Sequence, residues 1–94
     1  MELGKVKGQV VSTARYPGLP RLTLLLVDIV DADGAVQYAD QVAADIVGAG
    51  EGELVLLARG SSARLILETP APVDLSVIGI VDQVTSNEKT FYTK

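Results

Sequence analysis

The chain contains no cysteine, no histidine and no tryptophan. The absence of cysteine excludes disulfides and thiolate–zinc sites, and it fits a reducing cytosol. The absence of histidine removes the commonest general base, the commonest metal ligand and the side chain that titrates near neutral pH. We therefore predict that the protein is not an enzyme and that it has no catalytic residue, no metal site and no cofactor.

Aromatic and basic side chains are scarce as well. Three tyrosines and one phenylalanine make up 4% of the chain, and 8 basic against 12 acidic residues give a net charge of −4. Nucleic acids and anionic membranes are bound by basic surfaces. The net charge has the wrong sign for either, so we expect no nucleic-acid partner and no membrane partner.

No stretch of the sequence has the length of a membrane span. The longest apolar stretch, residues 22–30, is interrupted by Thr23 and Asp28 and is far too short to cross a bilayer. Residues 1–7 carry charges without the apolar core of a signal peptide behind them. We expect a soluble, cytoplasmic protein.

The abundant residues are aliphatic. Hydrophobic residues make up 48% of the 94 positions, which is the length of one domain. Val and Ile favour strands because their branched side chains pack well on a pleated surface. A domain this small cannot bury so much apolar surface in one core, so the composition indicates self-association.

Alternating and continuous apolar patterns predict five strands, at residues 5–12, 22–30, 36–46, 54–58 and 75–82. Residues 14–21 contain two prolines and a glycine and form a loop. Residues 31–34 form a hairpin turn in which Gly34 supplies the positive φ. A calcium loop would need further oxygen ligands after this turn, and none follow.

Residues 45–64 are the centre of the chain's organisation. A bend with Gly48, Gly50 and Gly52 runs into the fourth predicted strand. A phosphate-binding loop would instead open a helix, and Glu51 and Glu53 would repel a phosphate. We interpret this bend as a corner where two backbones approach closely, either within a barrel or between subunits.

The stretch after that strand, residues 60–64, reads GSSAR and predicts a short helix that ends near residue 67. Ser61 or Ser62 is the expected N-cap, because a hydroxyl can accept from a free N–H of the first turn. A nucleophilic serine would need a base close by, and the structural interpretation is preferred. Arg64 is expected to pair with a carboxylate such as Asp45 or Asp74, in the same or a neighbouring chain.

These elements predict an all-β fold with one short helix, a five-stranded OB-like antiparallel β-barrel over residues 1–82. The tail, residues 83–94, is polar except for Phe91 and Tyr92. It is expected to form a short extra strand or to dock on a neighbour, with a frayed end as the alternative. OB-folds often bind single-stranded nucleic acid, so a binding module for nucleic acid or another ligand is the alternative function.

Six motifs together resemble the EutN/CcmL family of pentameric vertex proteins of bacterial microcompartment shells. They are VKGQVVST at residues 6–13, DADG at 31–34, DIVGAGEGE at 45–53, VLL at 55–57, GSSAR at 60–64 and PVD with IGIVD between 72 and 82. The resemblance covers nearly the whole chain.

The resemblance implies a homopentamer that caps shell vertices, in contact with hexameric and pseudohexameric shell proteins. It also implies that the protein is located in the shell, within the cytoplasm. Ser61 and Ser62 are our choice for the narrowest point of the central opening. The residues expected at subunit contacts or around that opening are Asp45, Gly48, Ala49, Gly50, Gly52, Gly60, Ser61, Ser62, Ala63 and Arg64.

Overall fold

The computed structural model describes residues 1–19, 21–67, 71–86 and 89–94. Pro20 of the predicted first loop lies outside these ranges. Along the described chain the elements are β1 (Glu2–Val10), β2 (Thr23–Val30), β3 (Val36–Asp45), β4 (Leu54–Arg59), α1 (Ser61–Leu65), β5 (Leu75–Ile80), β6 (Gln83–Ser86) and β7 (Lys89–Thr93).

The first five strands close a barrel in the order β1-β2-β3-β5-β4. The prediction of an all-β, closed five-stranded barrel with one short helix is therefore confirmed. One detail is wrong, because β3 and β5 run parallel, with Ala44 beside Ser76 and Asp45 beside Val77. The chain passes from β3 to β5 through β4 and α1, and this crossover returns β5 in the direction of β3.

The first strand is displaced from its predicted position. Residues 5–12 were expected, whereas β1 spans Glu2–Val10. Its polar start is held by β4, with Glu2 beside Leu57 and Lys5 beside Leu54. An alternation pattern cannot reveal such a ladder to a distant strand. The other four predicted strands agree with the structure to within two residues.

The barrel interior is aliphatic, as the composition predicts. Gly4 and Leu57 pack closely, since a Cβ at position 4 would lie 2.6 Å from Cδ1 of Leu57 and would force that side chain to move. The buried cluster consists of small and branched side chains from all five barrel strands: Val6, Leu25, Val27, Ile29, Ala43, Val55, Leu57, Leu75 and Val77.

The β2–β3 turn is the acidic turn that the sequence predicts. The Asp31 carboxylate accepts hydrogen bonds from the N–H groups of Asp33 (3.0 Å) and Ala35 (2.9 Å). Gly34 adopts a positive φ of 88°, which an L side chain would disfavour. The aspartate at the head of this turn is thus explained by local backbone capping.

A bulge in β3 is held by charges on two neighbouring strands. Asp40 has a positive φ of 56°, and its N–H donates to Oδ1 of Asp28 at 3.0 Å. The Lys7 ammonium lies 2.5 Å from Asp40 and 3.4 Å from Asp28. Its hydrogen bond to Asp40 raises the pKa of Lys7. This cluster joins β1, β2 and β3 on the outer surface.

The tail forms two strands where at most one was expected. β6 and β7 pair with each other in a separate antiparallel hairpin. Its base is joined to the barrel by a hydrogen bond from the Val81 N–H to the Leu54 carbonyl (2.9 Å), and the Lys94 N–H donates to the Asp82 carbonyl (2.8 Å) to close the hairpin. The molecule is consequently elongated, at 47 × 23 × 21 Å.

None of the helices in the described ranges has the length and apolar character that crossing a bilayer requires.

Candidate functional site

Asp45 organises the glycine-rich turn that follows β3. Its side chain is buried, and its carboxylate accepts hydrogen bonds from the N–H groups of Val47 (2.9 Å), Gly48 (3.2 Å) and Ala49 (2.9 Å). Charge-assisted bonds of this kind stabilise a buried carboxylate. The expected pairing of Asp45 with Arg64 is wrong within the chain, because the backbone of the turn occupies the carboxylate.

Two glycines give the turn its path. Gly48 and Gly52 have φ values of 94° and 85°, in the left-handed region that glycine enters without steric cost. The end of the turn is hydrogen-bonded to β1, from the Gly52 N–H to the Val6 carbonyl (2.9 Å) and from the Val6 N–H to the Glu53 carbonyl (3.0 Å). The predicted close approach of two backbones therefore occurs between this corner and β1.

Glu53 joins the turn to the C-terminal hairpin. One carboxylate oxygen accepts from the Gly50 N–H at 2.6 Å, and the other pairs with the Lys94 ammonium. With Asp45 accepting from the preceding N–H groups, the N–H groups of residues 47–50 already bind carboxylates. They are not available to a phosphate, which agrees with the rejection of a nucleotide-binding loop.

Acidification should uncouple Glu53 from Lys94. The hydrogen bond from Lys94, followed by that from the Gly50 N–H, lowers the pKa of Glu53 below its ordinary value of 4.5. The stabilisation by this carboxylate is therefore complete above about pH 4.5 and is lost as the pH falls through the lower, folded pKa. A carboxyl-carbon NMR titration should place the Glu53 midpoint below 4.5.

The matched variant for this titration is Lys94→Ala. It removes the hydrogen bond that lowers the pKa of Glu53 most, so the Glu53 midpoint should move upward. A wild-type Glu53 midpoint at or above 4.5 would contradict the contact between Glu53 and Lys94.

Gly60 caps the helix, which begins at Ser61, and the predicted serine cap is wrong. Gly60 is the N-cap with φ 70° and ψ −140°, and the cap makes no side-chain hydrogen bond. Its N–H donates to the Asp74 carbonyl at 2.8 Å. Because glycine tolerates this backbone conformation, the helix starts one residue earlier than a serine cap would allow. Ser61 and Ser62 are consequently both helical and exposed.

The helix is anchored to β5 from its buried side. Ala63 is fully buried, and its carbonyl accepts a hydrogen bond from the Ser76 hydroxyl at 2.8 Å. The exposed Arg64 donates to the Val73 carbonyl at 3.0 Å, so a backbone oxygen takes the place of the expected intrachain carboxylate. α1 ends at Leu65 instead of near residue 67. Ser76 was missed because a lone serine in an apolar strand carries no sequence signal.

The two candidate segments, the turn at residues 46–53 and the helical segment at 60–65, do not meet within one chain. They flank opposite ends of β4, which spans Leu54–Arg59. Six residues of strand at a rise of about 3.3 Å separate them by roughly 20 Å. One protomer therefore presents two distinct surfaces, and only a second copy can bring a turn next to a helix.

The surface that OB-folds use for nucleic acid is acidic here. OB-folds bind oligonucleotides on the face of strands 2 and 3 and on the adjoining loops. Residues 22–58, which include all of β2 and β3, contain no lysine or arginine. In the β1–β2 loop, Arg15 donates to the carbonyls of Ser12 (2.8 Å) and Leu22 (3.3 Å), so its guanidinium closes the loop on itself.

Over the described ranges, no three acidic side chains come close enough to hold a metal ion together.

Known proteins are similar to this chain over its whole length. The family described as "Ethanolamine utilisation protein EutN/carboxysome" matches residues 1–82. The "Bacterial microcompartment shell vertex protein EutN" of Salmonella typhimurium is 47% identical, with 100% of this chain and 96% of the relative aligned. The solved structure of Gloeobacter violaceus CcmL is 41% identical with a TM-score of 0.92, covering 100% of this chain and 98% of that one. The GrpN pentameric microcompartment shell protein from Rhodospirillum rubrum is 42% identical with a TM-score of 0.81, covering 92% and 100%.

Proposed function

The chain belongs to the EutN/CcmL family, and on that basis we propose that it is a structural protein that forms homopentamers at the vertices of a bacterial microcompartment shell. The observation that carries this proposal is the full-length match to vertex proteins at 47% identity, together with the similarity to a pentameric shell protein. We propose no catalytic activity for the protein.

Five-fold symmetry explains why a shell needs such a protein. A sheet tiled only by hexagons stays flat, and inserting pentagons provides the curvature that closes it. A ring of five requires a heterologous interface, in which two different surfaces of the chain meet and the rotation closes. The partners that we propose outside the pentamer are the hexameric and pseudohexameric shell proteins around each vertex.

The two candidate segments have separate roles in this proposal. Exposed positions of the turn and of the helix contact neighbours or line the opening, whereas the buried Asp45 and Ala63 hold those segments in shape. Ser61 and Ser62, both exposed on α1, stay our choice for the narrowest point. The exposed or half-exposed residues in question are Gly48, Ala49, Gly50, Gly52, Gly60, Ser61, Ser62 and Arg64.

Native mass spectrometry of the purified protein tests the proposal. Five subunits of 9.9 kDa give a closed ring of about 50 kDa, which should be the dominant species at micromolar concentration. Co-expression with a hexameric shell protein should then yield closed particles instead of flat sheets. A persistent monomer or dimer would overturn the proposal, and binding of a single-stranded oligonucleotide at low salt would favour the alternative function.

Arg64→Ala should weaken the pentamer. The guanidinium is exposed and bonded only to the Val73 carbonyl among its described contacts, so it can reach a carboxylate on a neighbour. Loss of an interface ion pair should weaken assembly by roughly tenfold, measured as the pentamer fraction across a dilution series. Arg21→Ala, an exposed arginine in the β1–β2 loop, is the matched control. Equal pentamer fractions for both variants and the wild type would exclude an interface role for Arg64.

A further inference from the structure

The β1–β2 loop and the strand ends that flank it line a cavity to which the proposed function gives no role. The ladder between β1 and β2 ends at the pair of Val10 and Leu24. Beyond that pair the two arms of the loop separate, and a cavity of about 540 Å³ lies between them. This volume falls within the range of roughly 300–1,000 Å³ that is typical of small-molecule sites.

Hydrogen bonds within the loop hold the cavity in shape. Arg15 spans the two arms, because its Nε donates to the Ser12 carbonyl (2.8 Å) and its Nη1 donates to the Leu22 carbonyl (3.3 Å). The Leu19 N–H donates to the Tyr16 carbonyl at 2.8 Å and closes a turn within the loop. A site that is braced before binding loses less conformational freedom when a ligand enters.

The cavity belongs to a basic part of an acidic chain. Residues 3–27 contain four basic residues and no acidic one, whereas the other positions carry 4 basic against 12 acidic residues. Lys7 is paired with Asp28 and Asp40, and both arginines of the segment line the cavity. None of the described lining residues is acidic. The distribution of charge therefore directs an anion to this end of the protein.

The lining combines a charged donor with hydroxyl groups and apolar side chains. Arg21 is exposed, and a guanidinium can bind a carboxylate or a phosphate through two parallel hydrogen bonds. Three hydroxyl groups and three half-buried aliphatic side chains share the lining with it: those of Thr13, Tyr16, Thr23, Val10, Leu22 and Leu24. A ligand that satisfies this lining has an anionic end and an apolar body.

We propose that this cavity binds one small organic anion, a carboxylate or a phosphate ester with an apolar body. Arg21 holds the charged end, the hydroxyl groups add hydrogen bonds, and the aliphatic side chains contact the body of the ligand. A long polyanion is disfavoured, because residues 22–58 beyond the cavity contain no lysine or arginine. The inference goes beyond the proposed function and does not depend on the pentamer.

An NMR titration of the full-length protein with three related probes tests the site. Phenyl phosphate, benzoate and benzyl alcohol share an aromatic body and differ in the charge of the attached group. At least one of the two anions should shift the amide signals of Thr13, Arg21 and Thr23 until the site is saturated, and the tighter anion identifies the class of ligand. Benzyl alcohol should bind at least about tenfold more weakly. Equal binding of the neutral probe, or no saturable shift with either anion, would overturn the proposal.

Substitution of the arginine separates binding at the cavity from general attraction of anions. Arg21→Ala should weaken binding of the tighter anion roughly tenfold, and Arg21→Lys, which keeps the charge without the fork, should fall between the two. Arg59→Ala is the matched control, since Arg59 pairs with Glu2 at the far end of β1 and its loss should leave the affinity unchanged. Equal affinities for Arg21→Ala and the wild type would contradict the assignment.

The oligomeric state of each sample keeps this test apart from that of the proposed function. Native mass spectrometry of the same samples shows whether a variant that has lost binding is still assembled as the wild type is. A wild-type pentamer that binds neither anion would overturn this inference and leave the proposed function intact. Binding by a wild-type protein that is not a pentamer would support the inference and overturn the proposed function.

Discussion

Replacing Asp45 by alanine is expected to lower the free energy of unfolding by about 2–4 kcal/mol. The carboxylate accepts from the N–H groups of Val47, Gly48 and Ala49, and the substitution leaves these donors without an acceptor in a half-buried turn. Hydrogen bonds to a charged group contribute roughly 1.5–3 kcal/mol each, and their contributions are not additive. The expected loss is therefore smaller than the sum of three such bonds. Urea denaturation at one fixed protein concentration measures the effect.

Asp31→Ala is the matched control for that experiment. Asp31 also accepts two backbone N–H groups in a turn, but the turn is exposed, and water replaces the lost acceptor there. We expect a loss of at most about 1 kcal/mol. Equal losses for the two aspartates would mean that burial of Asp45 does not matter to the turn.

Leu57→Ala should cost roughly 2–5 kcal/mol, the range for large-to-small changes in a packed core. Leu57 is fully buried in the aliphatic cluster, and one of its methyl groups fills the space that Gly4 leaves. A cavity at this point cannot close by movement of a glycine that has no side chain. Thermal unfolding followed by circular dichroism should show a large drop in midpoint.

The chain offers the same substitution at an exposed position. Leu65 on α1 is 83% exposed, so Leu65→Ala should change protomer stability by less than about 0.5 kcal/mol. Because assembly adds concentration-dependent stability, both variants need measurement at several concentrations. A loss for Leu65→Ala that grows with concentration would reveal an interface contact, and a loss equal to that of Leu57→Ala would contradict the assigned core.

Local chemistry made most of the barrel predictable from the sequence. The apolar run at residues 22–30 and the acidic turn closed by Gly34 mark β2 and the hairpin after it, and the structure agrees. Such signals are local because alternation, β-branching and positive φ depend on neighbouring residues only. The glycine bend was predictable for the same reason.

Long-range contacts decide the features that the sequence did not reveal. Arg64 bonds to a carbonyl nine residues away, and Ser76 holds the helix through Ala63. The parallel β3–β5 pairing depends on the crossover through β4 and α1. The serine cap was wrong because Gly60, whose N–H bonds to the Asp74 carbonyl, adopts a backbone conformation that starts the helix earlier. A sequence pattern over a few neighbouring residues cannot reveal contacts of this kind.

The placement of the glycine turn and α1 at opposite ends of β4 has a consequence for evolution and engineering. Substitutions more than about 7–10 Å apart that share no partner have nearly additive effects, and these segments are separated by the full length of Leu54–Arg59. Within one chain, substitutions at Ser61 and Ser62, which we propose to line the central opening, should therefore leave the turn held by Asp45 unchanged. On the proposed function, the same barrel could in this way carry differently lined openings through a few changes on α1.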